Sequence, residues 1–317
     1  MKKMAVVVPT HLPEMFEVWR RAWLPALEGK VDIITVWDMP RSQLSSGFVD
    51  HETTLFWEDG EKYGSLIGDC HKSSSMRNLG FLKAAELGYT YIGTLDHDTL
   101  PTDNLWVDRM LQCLSRTVDP YTFWPAQFRT RGMAEPFQVP VILHHGLWEG
   151  IPDVYAKDQY VFEMLDGKQH PVVTIPYGTL APLCGMNIAF HRKFLPAMYF
   201  WPQKKYVRWD DIWCGLIAKR VADIVGFSVT SGSPTVYHNR LSDRVKSAKD
   251  EENGMRLNRD LWTLLVTNWP RQNRCETFTD PIFESTKKVI DLLPNDLLKD
   301  AGCDYPAWWK ACEEVLK

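Results

Sequence analysis

The first hundred residues alternate between short β-branched runs and stretches with apolar residues at helical spacing. The β-branched runs predict strands, and the helical stretches are bounded by a proline near the start or a glycine at the end. This order predicts strands at 4–10, 30–40 and 89–95 and helices at 12–27 and 71–89. Alternating strands and helices indicate an α/β fold, with a right-handed, mainly parallel sheet flanked by helices.

The pattern is less regular further along the chain. Residues 41–68 and 119–182 lack a clear period and are interpreted as loops, the second set lying over a site. A strand is predicted at 183–190 and an amphipathic helix at 210–226, whereas 227–239 predicts a strand pair or a loop.

These patterns predict one α/β domain over residues 1–250, with halves at 1–125 and 126–250, and a helical C-terminal extension over 251–317. The extension is predicted because the chain turns helical and charged after about residue 246.

Composition narrows the function classes. The chain has 317 residues and a net charge of -4, so no overall positive field attracts nucleic acid or anionic membrane. Seven scattered cysteines without a CxxC pair favour a reducing compartment. No apolar run approaches the ~20 residues that span a bilayer, so we expect a soluble, cytoplasmic protein. The 14 tryptophans fit either a packed core or sugar-stacking surfaces.

Polar residues follow the predicted strands. Pro9 and Thr10 end the first strand, Asp38 ends the second, and Asp96 and Asp98 follow the third. Ligands of parallel sheets bind beyond the carboxyl ends of strands, which makes these residues candidates for nucleotide binding. Asp96 and Asp98 could hold Mg²⁺ or Mn²⁺ against a substrate diphosphate, although a solvated turn would carry the same residues.

A second acidic pair opens the helix predicted at 210–226. Asp210 and Asp211 suit either the helix dipole or a catalytic carboxylate under a sugar, with Trp209 as a stacking face. His238 follows an apolar stretch and is a candidate third metal ligand beside Asp98, or a structural histidine.

The unit MRNLGFLKAAELGYTYIGTLDHD (76–98) resembles the helix and strand that carry the Asp-x-Asp motif in GT-A-type glycosyltransferases. In that resemblance the two aspartates lie on the metal and the ribose diphosphate. Lys72 and Arg77, near the helix start, would lie close to the nucleotide phosphates, although Arg77 could equally be an exposed helix residue.

Longer blocks resemble the reversibly glycosylated polypeptide family, whose best-known members are plant UDP-arabinopyranose mutases. The resemblance spans about residues 5–245 and does not extend to the tail from about 250. The blocks that carry it are VVVPT, TLDHD, HGLWEGIPD (145–153), IPYGTLAPLCGMNIAF (175–190), PAMYF (196–200) and RWDDIWCG (208–215).

The resemblance implies a GT-A-like, Rossmann-like fold, a UDP-sugar donor, and dependence on Mn²⁺ or Mg²⁺. Residues 1–250 would then be a nucleotide-sugar domain, with a nucleotide-binding half (1–125) and a sugar or acceptor half (126–250). It also implies a glycosylated arginine in a Phe-x-x-Arg segment, which would be Arg131, with catalytic roles for Arg131, Asp210 and Asp211. The substrate-binding residues that it implies are His145, Trp148, Gly185, Asn187 and Trp209.

His97 is the main departure, because the family carries three consecutive aspartates at this motif. On that ground the sequence favours a metal-dependent glycosyltransferase with a UDP-pentose donor. Its acceptor would be a glycan, a protein, a small molecule or a modified nucleobase, and a homo-oligomer is possible. The alternative is a mutase that interconverts UDP-arabinopyranose and UDP-arabinofuranose, and a third hypothesis is a non-catalytic sugar-nucleotide-binding protein.

Overall fold

In the computed structural model of the chain, the described residues are 3–44, 53–66, 74–121, 138–158, 170–202, 204–239, 243–268 and 281–317. The strands among them are β1 (Met4–Thr10), β2 (Asp32–Trp37), β3 (Thr53–Leu55), β4 (Tyr91–Leu95), β5 (Thr99–Pro101), β6 (Thr117–Val118), β7 (Val139–Gly150), β8 (Val173–Thr174), β9 (Asn187–His191) and β10 (Ser228–His238). The α-helices are α1 (Pro13–Leu27), α2 (Trp57–Gly60), α3 (Arg77–Glu86), α4 (Trp106–Leu114), α5 (Asp210–Val225), α6 (Arg244–Thr267), α7 (Pro281–Ile290), α8 (Asn295–Ala301) and α9 (Tyr305–Leu316).

One twisted sheet organises the fold, in the order β3-β2-β1-β4-β9-β7-β10-β5. Strands β3, β2, β1 and β4 are parallel and form the parallel half. In the mixed half, β9 runs antiparallel to both β4 and β7, and β10 runs parallel to β7. It follows that β1, β2, β4, β7 and β10 all end at one edge of the sheet, where β9 begins. The predicted fold class, an α/β sheet flanked by helices, is confirmed.

The sequence pattern missed parts of this sheet. Strand β7 has twelve residues and lies inside the segment 119–182 that was interpreted as loop, and β3 lies inside 41–68. Residues 228–238 form one strand rather than a pair. Strand β7 escaped notice because it carries His, Gly and Trp in place of a β-branched alternation. The core covers both faces of the sheet at β7, so the central residues of this strand are buried whichever face they occupy.

Helices cover both faces of the sheet. In β1, Val6 and Val8 pack with α1 and α4, whereas Ala5 and Val7 pack with the cluster that contains α3, α5, α7 and α9. Helix α1 buries Phe16, Trp19, Trp23, Ala26 and Leu27, which is the stripe expected of an amphipathic helix. Seven of the twelve largest fully buried side chains among the described residues are tryptophans, so the tryptophan content serves mainly the core.

The C-terminal helices belong to this core. Trp308 of α9 stacks on Tyr199 at a centroid distance of 5.2 Å, and Trp201 Nε1 donates to Tyr305 Oη at 2.7 Å. The helical character predicted for the tail is therefore present in the described residues. Helix α6 runs unbroken through residue 250, so the domain boundary predicted there falls inside a helix.

Candidate functional site

A cavity of about 760 Å³ lies at the edge where β4, β7 and β10 end and α5 begins. Helix α6 forms a further wall, with Glu251, Asn258 and Trp262 among its contributions. Sheet topology explains this meeting of distant residues, because strands with a common direction deliver their following loops to one edge. The acidic residues that line the cavity are Asp96, Asp98, Asp153, Asp210, Asp211, Asp243, Asp250 and Glu251.

Arg77 is a buried cation of the cavity wall. Its side chain is 2% exposed, and its Nη2 donates to Asp96 Oδ1 at 2.7 Å. Its Nη1 donates to Thr94 Oγ1 at 3.1 Å and to the carbonyl oxygen of Gly185, while the ring of Phe200 lies 4.9 Å from the guanidinium carbon. The exposed-helix alternative for Arg77 is therefore excluded. The guanidinium fixes Asp96 and the backbone at Gly185 in one network.

Asp98 and His238, the two candidate metal ligands from the sequence, face each other. The Oδ2 atom of Asp98 lies 3.8 Å from Nε2 of His238, which is longer than a direct hydrogen bond. His238 Nδ1 lies 2.8 Å from the carbonyl oxygen of Ile151 and must donate to it, since a carbonyl only accepts. In the neutral ring Nε2 then carries the lone pair. Burial alone would raise the pKa of Asp98, but the protonated form of His238 holds that pKa below its usual value, and Asp98 raises the pKa of His238 in return.

A carboxylate cluster lies at the start of α5. Asp211 accepts hydrogen bonds from Gly185 N at 2.9 Å and from Ile212 N at 2.8 Å. Burial raises the pKa of Asp211 well above its ordinary value, and the charges of Asp210 and Asp153 raise it further. A carboxyl group whose pKa is raised in this way keeps its proton to higher pH and is a candidate for proton exchange with a substrate.

Trp209 lines the cavity and is almost fully buried. Its Nε1 donates to the carbonyl oxygen of Glu251 at 3.2 Å, and its ring stacks on Trp213 at 5.6 Å. The Glu251 carboxylate accepts from Arg208 Nε at 3.2 Å and from Ala156 N at 2.9 Å. Helix α6 is thus fastened to the loop after β7 and to the start of α5.

Other predicted substrate residues lie behind this wall. His145 donates from Nδ1 to Ser231 Oγ at 3.1 Å and accepts from Cys184 N at 3.1 Å. Asn187 donates to two carbonyl oxygens and accepts from Trp106 Nε1 at 2.9 Å. Trp148 is half-buried and does not line the cavity. These three side chains support the wall, whereas Gly185 joins Arg77 to Asp211.

The predicted nucleotide residues of the parallel half lie outside the cavity lining. Thr10 O accepts from Asp38 N at 2.7 Å, and Asp38 Oδ1 accepts from Trp57 Nε1 at 2.8 Å. Pro9 O accepts from His97 Nδ1 at 3.3 Å. The predicted residues Lys72 and Arg131 lie outside the described residues.

Several residues that line the cavity were not predicted from the sequence. Asp153 ends the HGLWEGIPD block but had no assigned role, and Glu251 and Asn258 lie in the tail that was set apart. Arg208 adopts a φ of 69°, a left-handed conformation that is uncommon for a non-glycine residue. Backbone strain of this kind clusters at functional sites, but only the structure reveals it.

No group of three or more metal-ligating side chains converges anywhere in the described part of the chain. Asp98 and His238 form a pair, and Asp96 is engaged by Arg77. The same residues include no helix of the length and apolarity that a bilayer crossing requires.

The fold and site define an α/β protein with an acidic cavity at the carboxyl edge of its sheet. Among solved structures it is similar to the catalytic domain of Drosophila β1,4-galactosyltransferase 7, with a TM-score of 0.36 and 15% identity over 78% of this chain and 73% of that one. It is also similar to a putative nucleotide-diphospho-sugar transferase from Desulfovibrio desulfuricans, with a TM-score of 0.38 and 11% identity over 82% and 98% of the two chains. Scores of this size carry no argument about the reaction.

The chain belongs to the reversibly glycosylated polypeptide family, whose model matches residues 66–314. The match includes most of the tail, so the expectation that the resemblance stops near 250 was wrong. The chain is 40% identical to UDP-arabinopyranose mutase 3 of Arabidopsis thaliana over 35% of this chain and 32% of that protein. It is 31% identical to a probable UDP-arabinopyranose mutase 1 of Pisum sativum over 58% and 56%. These matches span about a third to a half of the relatives.

Proposed function

We propose that the protein is an enzyme that breaks and re-forms the bond between a pentose and the diphosphate of UDP, and so acts as a UDP-arabinopyranose mutase. Family membership and the named mutases support this activity over transfer to an outside acceptor, which the sequence alone had favoured. The single observation that carries the proposal is the placement of two groups of carboxylates around one cavity.

The first group, Asp98 with His238, suits a divalent cation. The hydrogen bond from His238 Nδ1 to Ile151 leaves Nε2 available beside the carboxylate of Asp98, which is the arrangement that metal-binding histidines use. Mg²⁺ and Mn²⁺ need few protein ligands when a diphosphate supplies others. Such a cation would neutralise the negative charge on the departing UDP.

The second group, Asp211 with Asp210 and Asp153, suits proton exchange with the sugar hydroxyls. Ring interconversion requires the ring oxygen to leave the anomeric carbon and a hydroxyl oxygen of the sugar to attack that carbon. A carboxyl group with a raised pKa can accept the proton of the attacking hydroxyl and return it to the displaced oxygen. Arg77 holds Gly185, whose N–H in turn orients Asp211.

Purified protein incubated with UDP-arabinopyranose and Mn²⁺ tests this function. Products are separated into UDP-arabinofuranose, UDP with free arabinose, and sugar attached to protein. A furanose peak that reaches the same equilibrium from either direction supports the mutase. Free arabinose without a furanose product favours a transferase that lacks its acceptor. Tight UDP binding with no turnover contradicts both enzyme assignments.

Self-glycosylation at Arg131 stays a prediction that the same assay addresses. Radiolabelled donor, followed by peptide mapping, locates any sugar attached to the protein. Arg131→Lys should remove that label while leaving UDP binding unchanged. Label that persists at another residue would contradict the assignment.

A further inference from the structure

A surface groove of about 360 Å³ continues from the cavity along α6. Tyr155, Asn258 and Trp262 line both spaces, so the two are contiguous. Arg259 and Lys157 line only the groove. The volume lies at the small end of ligand pockets.

The groove presents aromatic faces to solvent. Tyr155 is 40% exposed and Trp262 is 37% exposed. This exposure sets Trp262 apart from the tryptophans that are buried in the core. Asn258 accepts from Trp213 Nε1 at 3.1 Å, which fixes its amide between the two aromatic residues. Exposed rings flanking an ordered amide suit a ligand with an apolar ring face and hydroxyl groups.

Two cations accompany these rings. Lys157 Nζ lies 5.7 Å from the centroid of Tyr155 and makes no ion pair with the described residues. The guanidinium of Arg259 makes neither an ion pair nor a hydrogen bond with them. A planar guanidinium matches a carboxylate or a phosphate, so the groove is suited to a ligand with one anionic group.

A polyanion fits less well. Asp243, Asp250 and Glu251 line the adjoining cavity, and the chain carries a net charge of -4. Successive phosphates of a nucleic acid would meet these carboxylates, whereas one carboxylate or phosphate can remain beside Arg259 and Lys157.

We propose that this groove binds a small acidic saccharide, a uronate or a sugar phosphate, to which the enzyme transfers the cleaved sugar in a second reaction beside ring interconversion. Transfer rests on the proposed bond cleavage, whereas binding of the saccharide does not. An acceptor hydroxyl oxygen attacks the anomeric carbon, the bond from that carbon to the β-phosphate oxygen breaks, and the electron pair leaves with UDP. The hydroxyl proton passes to a cavity carboxylate and then to water. The products are UDP and a glycosylated acceptor.

Binding is measured first, by calorimetry of 4-nitrophenyl β-D-glucuronide, glucose 6-phosphate and the neutral 4-nitrophenyl β-D-glucoside with the full chain. We expect at least one anionic probe to bind more tightly than the glucoside. Arg259→Met and Trp262→Ala should each weaken that binding at least tenfold, whereas Val266→Ala, on an exposed part of α6 outside the groove, should not. Equal affinity for the neutral probe, or no binding of either anionic probe, overturns the proposal. Trp262-dependent binding of an oligothymidylate in place of the saccharides also overturns it.

Transfer is measured next, as glycosylated probe detected by mass spectrometry in the presence of UDP-arabinopyranose and Mn²⁺. Arg259→Met should lose transfer and keep furanose formation, because Arg259 does not line the cavity. If the wild type forms no furanose product but binds the probe in a way that depends on Arg259, the proposed function is contradicted and the groove assignment stands. Furanose formation without a glycosylated probe overturns the acceptor role.

Discussion

The two halves of the sheet end at one edge but present different surfaces there. In the parallel half, the polar groups at the ends of β1 and β2 hydrogen-bond to neighbouring protein groups, including Asp38 to Trp57. In the mixed half, the end of β10 opens onto the acidic cavity, and so does the end of β4, the strand of the parallel half that adjoins the mixed half. The rule that ligands bind at strand ends therefore locates an edge. Which part of the edge forms a cavity depends on the segments that cover it.

His97 lies at the junction of the halves. Its neighbours Asp96 and Asp98 line the cavity, but its own Nδ1 donates to Pro9 O, and its ring contacts His11 edge-to-face at 5.5 Å. The residue that departs from the family motif therefore points toward the parallel half. His97 replaces the middle aspartate of the family motif, and because it points away from the cavity, Asp98 still faces His238.

Asp211→Asn should have the largest effect, because it removes the titrating carboxyl group from the cavity. We expect turnover to fall by about 10³-fold, within the range that general acid–base groups contribute. UDP binding should persist, since the cluster at Asp211 faces the sugar in our proposal. Steady-state kinetics and calorimetry with UDP measure the two effects. Asp108→Asn, on the surface of α4, is the control, and an Asp211→Asn rate near wild type would show that Asp211 only caps the helix.

Asp98→Asn and Asp96→Asn should separate metal binding from structure. Asp98→Asn should weaken Mn²⁺ binding at least tenfold with little change in Tm, as followed by electron paramagnetic resonance and calorimetry. Asp96→Asn should lower Tm, because Arg77 would stay buried without its carboxylate partner. If Asp98→Asn binds Mn²⁺ normally, then the proposed cation site is wrong.

Acid should destabilise the mixed half in particular. Burial lowers the pKa of His145 to about 4, against about 6.5 in an unfolded chain. Below pH 6.5 this histidine binds a proton in the unfolded chain but stays neutral in the folded protein. The free energy of unfolding therefore falls by up to about 3 kcal/mol as the pH drops from 6.5 to 4. His145→Gln can keep both hydrogen bonds and should flatten this part of the profile. Denaturant unfolding at several pH values measures the free energy of unfolding of both proteins. If it depends on pH equally in His145→Gln and in the wild type, His145 is not the group responsible.

Local pattern was enough where neighbouring residues decide the structure. The strands β1, β2 and β4 and the helices α1, α3 and α5 follow from periodicity, and Asp96, Asp98 and Asp210–Asp211 were found because they flank such elements. Strand β7 and the wall formed by α6 were not found. Both depend on contacts between distant parts of the chain, such as Glu251 with Ala156 and Arg208, which leave no periodic signal.

Gly185→Ala should have a smaller effect on the rate, because it disturbs the network without removing a charge. An added Cβ would lie 2.8 Å from Arg77 Nη1 and 2.9 Å from Phe200 Cε1. We expect turnover to fall about tenfold and stability to fall by about 1–3 kcal/mol. Gly88→Ala is the matched control, since its φ of 81° strains an alanine although no atom lies within 4 Å. Equal rates in the two variants would show that the Gly185 network does not position Asp211.

Asp38→Asn should have the smallest effect if the parallel half holds the nucleotide only weakly. Asp38 is nearly buried, and Oδ1 already accepts from Trp57 Nε1, a role that an asparagine oxygen can keep. We therefore expect KM for UDP-arabinopyranose to rise no more than about twofold to threefold and kcat to stay constant, because the variant keeps the hydrogen bond from Trp57 and the changed side chain lies outside the cavity lining. The steady-state kinetics of Asp38→Asn are compared with those of Thr10→Val, which removes the hydroxyl group of another residue at this edge. A tenfold rise in KM for Asp38→Asn alone would mean that Asp38 turns from Trp57 to the nucleotide, and the parallel half would then be part of the binding site.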